Sequence, residues 1–157
     1  MSRRVYDLVL KALFIALVAV ATMAISIPML LTKGFINVGD TMIFVAAALL
    51  GPATGFIAGS VGSSLADLLL GYGHWAPWTF VIKGLEGLIA GYIVYRAADG
   101  ADRGQRLVTA RTLLGFTLAA AWMVLGYYLA GGILYGFKAA LTSVPGNMLQ
   151  GGASVVL

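Results

Sequence analysis

The sequence predicts an all-α integral membrane protein: a bundle of six transmembrane helices with both termini in the cytoplasm. Three observations support this: the apolar composition, the spacing of the apolar runs and the distribution of basic residues. The 157 residues are 61% hydrophobic and only 10% charged, with a mean hydropathy of +0.95. Soluble domains carry about 25% charged residues. This chain has too little polar surface to cover a globule in water, which predicts one transmembrane domain over residues 1–157.

Apolar runs define the predicted helices. A helix that crosses the hydrocarbon core needs roughly 20 mostly apolar residues. Runs separated by polar or glycine-containing connections cover residues 8–31, 41–50, 53–70, 78–95, 113–134 and 141–157. The second run is short, so we expect it to begin near Val38 or to rely on its neighbours. The sixth run stops without a polar tail, which predicts a last helix that is incomplete at its C-terminus.

The basic residues predict the orientation. If six helices alternate across the membrane, seven basic residues fall on the side that holds both termini. The other side receives only Lys33 and Lys138, with Lys83 near that face. By the positive-inside rule, the side with more basic residues is cytoplasmic, which places both ends of the chain in the cytoplasm. These residues flank helices instead of forming a stripe, which argues against nucleic-acid binding. The seven residues on the cytoplasmic side are Arg3, Arg4, Lys11, Arg96, Arg103, Arg106 and Arg111.

Small residues recur at intervals of four, as in Gly51, Gly55 and Gly59 and again in Ala12 and Ala16. Such spacing lets helix backbones approach closely in lipid. For the glycines, internal packing is the favoured interpretation. For the two alanines, docking to a separate membrane subunit is an equally open alternative.

Three ionisable residues fall inside apolar runs: Asp67, Lys83 and Glu86. Asp67 lies eight residues before Trp75, the centre of a connection, and Lys83 lies eight residues after it. In an antiparallel helical hairpin they would share one depth, which predicts an Asp67–Lys83 ion pair with Glu86 one turn deeper. An unpaired charge at mid-membrane costs about 2.5–3.5 kcal/mol. The cluster is interpreted either as a structural staple, favoured for Asp67, or as a ligand-facing polar site.

The order and spacing of several motifs resemble the S components of energy-coupling factor (ECF) vitamin transporters, above all the riboflavin-type family. The resemblance covers about residues 8–153. Ala12 and Ala16 match the small-residue motif by which this class docks on its coupling subunit, and Asn147 with Gln150 resembles the start of its last helix. The remaining motifs are G-D at 39–40, L-G-P-x-x-G at 50–55, A-D-L-L at 66–69, the aromatic-proline segment at 75–78 and K-G-x-x-G at 83–87.

This resemblance implies a subunit of the bacterial-type plasma (inner) membrane that binds one vitamin with high affinity from outside. The implied ligand is riboflavin or a related heteroaromatic, such as the thiamin pyrimidine or a pyridoxine-type compound. The implied partners are a transmembrane coupling subunit and two ATPases. The sequence has no G-x-x-x-x-G-K-[ST] loop, so the partners would hydrolyse ATP and this chain would carry no cofactor.

A flat vitamin needs aromatic faces and a few convergent hydrogen-bonding groups. An interfacial aromatic belt is the alternative for each Trp and Tyr, and Tyr72, Tyr127 and Tyr135 are further aromatic candidates. Asn147 and Gln150 share one helical face. Because a buried amide without a hydrogen-bond partner is energetically costly, Asn147 has a stronger case than the aromatic residues as a binding residue. The predicted substrate-binding residues are Asp40, His74, Trp75, Trp78, Thr79, Lys83, Glu86, Tyr128, Asn147 and Gln150.

Two other function classes are considered. A small stand-alone transporter or channel would use Asp67, Lys83 and Glu86 as a proton path. An intramembrane serine protease would need a histidine inside the bundle, whereas His74, the lone histidine, falls in an outer connection. With one histidine and no cysteine, the chain lacks the usual ligands of a zinc site. We therefore expect neither an enzyme nor a metalloprotein.

Overall fold

The computed structural model describes residues 2–95 and 109–157. Arg96, Arg103 and Arg106 lie outside the described residues, so their placement on the cytoplasmic side stays a prediction. The described chain is mostly helical. Its elements are α1 (Arg3–Ala24), β1 (Ser26–Met29), β2 (Gly34–Asn37), α2 (Gly39–Leu50), α3 (Pro52–Ile57), a π-helical turn (Ala58–Gly62), α4 (Ser63–Leu69), α5 (Ala76–Tyr95), α6 (Ala110–Tyr135), α7 (Phe137–Leu141) and α8 (Val144–Val156).

The helical segments follow the six apolar runs of the sequence. The third run forms one nearly continuous helical segment from α3 through the π turn to α4. The second helix begins at Gly39, close to the expected start at Val38, and has 12 residues. Within the described ranges, α1 and α6 are long and apolar enough to cross a membrane by length and composition. The number of crossings and their direction stay predictions.

The all-α prediction is wrong between α1 and α2, where the chain forms a two-stranded antiparallel hairpin. Strands β1 and β2 pair from Ser26 with Asn37 to Met29 with Gly34. The first helix therefore ends at Ala24 instead of continuing to residue 31. Pro28 explains the early end, because proline disfavours helix both at its own position and at the residue before it.

The last helix also begins later than predicted. Gly136, with φ of 87°, ends α6 in a conformation that side chains rarely adopt. The short helix α7 follows, and α8 starts at Val144 with Pro145 in its first turn, a position that tolerates proline because no intrahelical donor is lost. The break turns α8 back under the hairpin.

The glycine rows pack helices within the chain, as the spacing predicts. A Cβ at Gly55 would lie 2.6 Å from the carbonyl oxygen of Gly87, and one at Gly91 would lie 2.5 Å from the Cα of Pro52. Helices α3 and α5 therefore touch backbone to backbone. This contact fixes α5 in the centre of the bundle, with Lys83 and Glu86 buried.

Ala12 and Ala16 lie on the exposed face of α1. The opposite face of α1 is buried, with Phe14, Val18 and Ala19 in contact with the bundle. The two alanines are thus not used for packing among the described residues, and their docking role stays a prediction.

Candidate functional site

A cavity of about 30 Å³ lies where the hairpin covers the ends of α1, α4, α5, α6 and α8. Five of the ten predicted substrate-binding residues line it: Trp75, Thr79, Lys83, Asn147 and Gln150. The other lining residues are Thr22, Met29, Thr32, Gly34, Phe35, Asn37, Ser63, Asp67, Tyr127 and Ser143. The hairpin supplies five of these, a contribution that an all-helical interpretation could not foresee.

Lys83 forms a fully buried ion-pair cluster with two carboxylates. Its Nζ donates to Asp40 Oδ1 and, at 2.9 Å, to Glu86 Oε2. The predicted Asp67–Lys83 ion pair is wrong, because α2 brings Asp40 against α5 and Lys83 pairs with it instead. Asp40 also lies in the first turn of α2, where the helix dipole favours a negative charge. Burying these charges requires such pairing, since an unpaired buried ion is strongly destabilising.

Gln150 ties three elements together through its side-chain amide. Its Nε2 donates to Asp40 Oδ2 at 2.8 Å, and its Oε1 accepts from the backbone N–H of Asn37 at 2.8 Å. The side chain of Asn37 in turn accepts from the backbone N–H of Gly39 at 2.9 Å. Gln150 lines the cavity, but both of its polar side-chain atoms already hold the hairpin and α2 in place, and its binding of substrate stays a prediction.

Aromatic rings close one wall of the cavity. Trp75 is buried, and its Nε1 donates to the backbone carbonyls of Thr32 and Lys33 in the hairpin turn, each at 3.1 Å. Tyr127 lies edge-on to Trp75 with ring centroids 5.7 Å apart. The Tyr127 hydroxyl is 3.1 Å from that of Thr79.

Tyr127 takes the cavity position that the sequence prediction assigned to Tyr128. The Lys83 Nζ lies 5.6 Å from the centroid of the Tyr127 ring, within range of a cation–π contact. Tyr128 instead packs on Phe137, with ring centroids 5.6 Å apart, away from the cavity. Consecutive helical residues point about 100° apart, so a one-residue choice between adjacent tyrosines decides which ring faces the site.

Four other predicted residues do not line the cavity. Asp40 and Glu86 lie behind Lys83 as its buried partners. His74 is exposed, with its ring centroid 6.2 Å from that of Trp75. Trp78 is half-buried and packs against the apolar cluster that contains Trp75. These residues support the lining instead of forming it.

Several polar atoms on the lining have no hydrogen-bond partner among the described residues. Asp67 is buried, and its Oδ2 has no partner among the described residues. Buried polar groups in folded proteins are nearly always hydrogen-bonded. The cavity therefore keeps hydrogen-bonding capacity that a ligand could satisfy. The unpartnered lining atoms are Thr22 Oγ1, Thr32 Oγ1, Asp67 Oδ2 and Asn147 Nδ2.

The family of the S component of ECF-type riboflavin transporters matches residues 2–157. The chain belongs to this family. The resemblance drawn from the sequence motifs is thus confirmed. The family is one of membrane-embedded transporter components, not of enzymes.

Two relatives and one solved structure extend this finding. The chain is 39% identical over 140 residues to an uncharacterized protein of Pyrococcus woesei, covering 89% of this chain and 88% of the relative. It is 26% identical over 150 residues to the thiamine precursor transporter HmpT of Lactococcus lactis subsp. cremoris strain MG1363, covering 95% and 81%. The crystal structure of an S component for biotin from an ECF-type ABC transporter shares the fold, with a TM-score of 0.54 at 19% identity over 99% of this chain and 91% of that one.

Proposed function

We propose that this chain is the substrate-binding subunit of an ECF-type ABC transporter, and that it binds a vitamin or vitamin precursor in the cavity beneath the hairpin. The observation that carries the proposal is the set of unpartnered polar atoms on a lining that also holds Trp75 and Tyr127. A mostly apolar, aromatic-walled site with a few convergent polar groups suits riboflavin or a related heteroaromatic.

The proposed orientation places six crossings in the plasma membrane with both termini in the cytoplasm. The positive-inside rule supports it, because Arg3, Arg4 and Lys11 precede or begin the first span. The hairpin then lies at the outer face together with the α4–α5 connection, since Trp75 bonds the hairpin turn. In this orientation the hairpin-covered side of the cavity faces the outside, as uptake requires.

Ligand entry requires the hairpin to move. The cavity holds about 30 Å³, whereas sites for drug-sized ligands measure about 300–1,000 Å³. The covering element is held by the two Trp75 indole bonds and by the Gln150–Asn37 bond. Breaking a few such bonds costs about 0.5–1.5 kcal/mol each, which binding of a well-fitting ligand can offset.

The partners of this subunit are a coupling protein and two ATPases, which hydrolyse the ATP. Ala12 and Ala16 give α1 a shallow exposed strip on which a partner helix can approach closely. Replacing either alanine by Trp should abolish uptake by the assembled transporter while leaving ligand binding to the isolated subunit intact. An equal loss of binding in the isolated subunit would show that this face serves the fold instead.

The direct test is ligand binding by the purified subunit. Thermal shift and native mass spectrometry would use riboflavin, thiamine, the aminopyrimidine half of thiamine, pyridoxine and biotin as probes. A ligand at 100 times its Kd stabilises the folded state by about 2.7 kcal/mol, so one probe should raise the unfolding temperature by several degrees. Failure of every probe, together with failure to co-purify with a coupling subunit, would overturn the proposal. Uptake into liposomes by this chain alone would support a stand-alone transporter using Asp67, Lys83 and Glu86.

A further inference from the structure

Asp67 is the acidic residue that the structure leaves without its expected partner. It lies on α4, lines the cavity and is only 3% exposed. Its Oδ2 has no hydrogen-bond partner among the described residues, and the lysine that would pair with it holds Asp40 and Glu86 instead. A buried carboxylate oxygen without a donor is costly. A structural staple would not leave that oxygen free, so Asp67 has spare accepting capacity in the cavity.

The charges around the cavity favour a ligand that brings donors or positive charge. Lys83 pairs with Asp40 and Glu86, and Asp67 is a third buried acidic side chain, with no ion-pair partner among the described residues. Two of the three Lys83 donors are already used by carboxylates. A phosphate or carboxylate on the ligand would therefore face the Asp67 carboxylate, which no cation in the described part of the chain neutralises directly, in a setting of low dielectric constant where like charges repel strongly.

Asn147 supplies the complementary hydrogen-bonding group. It lies on α8, is 3% exposed, and its Nδ2 donor is unpartnered among the described residues. The lining thus offers an acceptor from Asp67 and a donor from Asn147, beside the rings of Trp75 and Tyr127. A ligand that carries an amino group next to a ring nitrogen presents the matching donor and acceptor on one edge.

We propose that Asp67 contacts the ligand directly, and that the ligand is an uncharged or cationic aromatic heterocycle whose amino group donates to this carboxylate. The inference rests on the proposed function and names the substrate class of the same site. The proposed ligand is recognised through its amino group and not through a phosphate or carboxylate.

Matched ligands test the inference on the wild-type chain. The probes are the aminopyrimidine half of thiamine and the same compound with the amino group replaced by oxygen, with affinity measured by isothermal titration calorimetry. A hydrogen bond to a charged group contributes about 1.5–3 kcal/mol, so the amino compound should bind about 10- to 100-fold more tightly. Equal affinities, or tighter binding of riboflavin or biotin, would overturn the inference and leave the proposed function standing. No binding of any probe would overturn the inference, and the proposed function would fall with it only if the chain also failed to co-purify with a coupling subunit.

A matched pair of variants assigns the effect to Asp67. Asp67→Asn keeps the side-chain size but adds a donor, so the preference for the amino compound should narrow or reverse. Asp7→Asn makes the same change at an exposed position of α1 and should leave both affinities unchanged. Wild-type selectivity in Asp67→Asn, with an unaltered unfolding temperature, would show that this carboxylate does not touch the ligand. If Asp67→Asn does not fold, the comparison of ligands on the wild-type chain still decides.

Discussion

Two groups of buried polar side chains meet at the cavity, and they differ in how fully their hydrogen-bonding capacity is met. The paired region consists of Asp40, Lys83, Glu86 and Gln150, whose charges and amide atoms bond one another or the backbone. The open region consists of Thr22, Thr32, Asp67 and Asn147, each with an unpartnered atom. Glu86 Oε1 is the one unpartnered side-chain atom of the paired region. Both regions are equally buried, so the difference separates residues that hold the fold from residues that are free to bind.

The largest expected effect comes from breaking the paired region. Lys83→Met leaves Asp40 and Glu86 without their cation, and removing one partner of a buried ion pair costs about 3–5 kcal/mol of stability. Adding Asp40→Asn should recover part of this loss, because one fewer charge is then unpaired. The free energy of unfolding in mixed detergent micelles measures both variants.

The control for that experiment adds Asp67→Asn to Lys83→Met. Because Asp67 belongs to the open region, this second change should recover little or no stability. Recovery as large as that from Asp40→Asn would mean that Lys83 neutralises Asp67 as well, and the division into two regions would be wrong.

A second prediction compares the two amides on one face of α8. Gln150→Ala removes the bonds to Asp40 and to the Asn37 backbone, leaving buried groups unsatisfied at a cost of about 1–3 kcal/mol. Asn147→Ala removes an unpartnered donor, so its loss of stability should be smaller. Its effect should appear instead as weaker ligand binding, by about 10-fold for one lost hydrogen bond. The reverse pattern, with Asn147 controlling stability, would contradict the comparison.

The smallest expected effect on stability concerns the β1–β2 hairpin, which covers both regions. Trp75→Phe keeps an aromatic wall but removes the indole donor to Thr32 and Lys33, at a cost of about 1 kcal/mol. Hydrogen exchange should become faster for residues 26–37, while the protection of α5 stays unchanged. An unchanged rate of hydrogen exchange in the hairpin would show that Gln150, and not Trp75, holds the hairpin over the cavity.

Much of the site could be predicted from the sequence because buried polar residue types stand out in an apolar helix. Lys83 and Glu86 share a helical face and form an ion pair as close neighbours on α5. Asn147 and Gln150 are both buried on α8, as expected of amides facing inward. The sequence does not select Tyr127 over Tyr128, because it offers two adjacent tyrosines with no pattern to choose between them. Thr22 and Thr32 gave no signal, since threonine is common in apolar helices and turns.

The sequence by itself determined the membrane class, the approximate helices and the use of glycine rows for packing, because composition and short-range periodicity are local properties. The family followed from the resemblance of its motifs to those of known S components. The tertiary structure alone decided which charge neutralises Lys83. Asp40 is 43 residues away along the chain, and its contact depends on how α2 is placed against α5. The hairpin could not be predicted either, because β1 lies at the end of an apolar run, β2 lies in the connection that follows it, and strand pairing is decided by contacts between segments. Asp67 was predicted to pair with Lys83, but in the structure its Oδ2 is an unpartnered acceptor among the described residues. Pairing in three dimensions depends on which helices are neighbours and not on equal spacing about a loop.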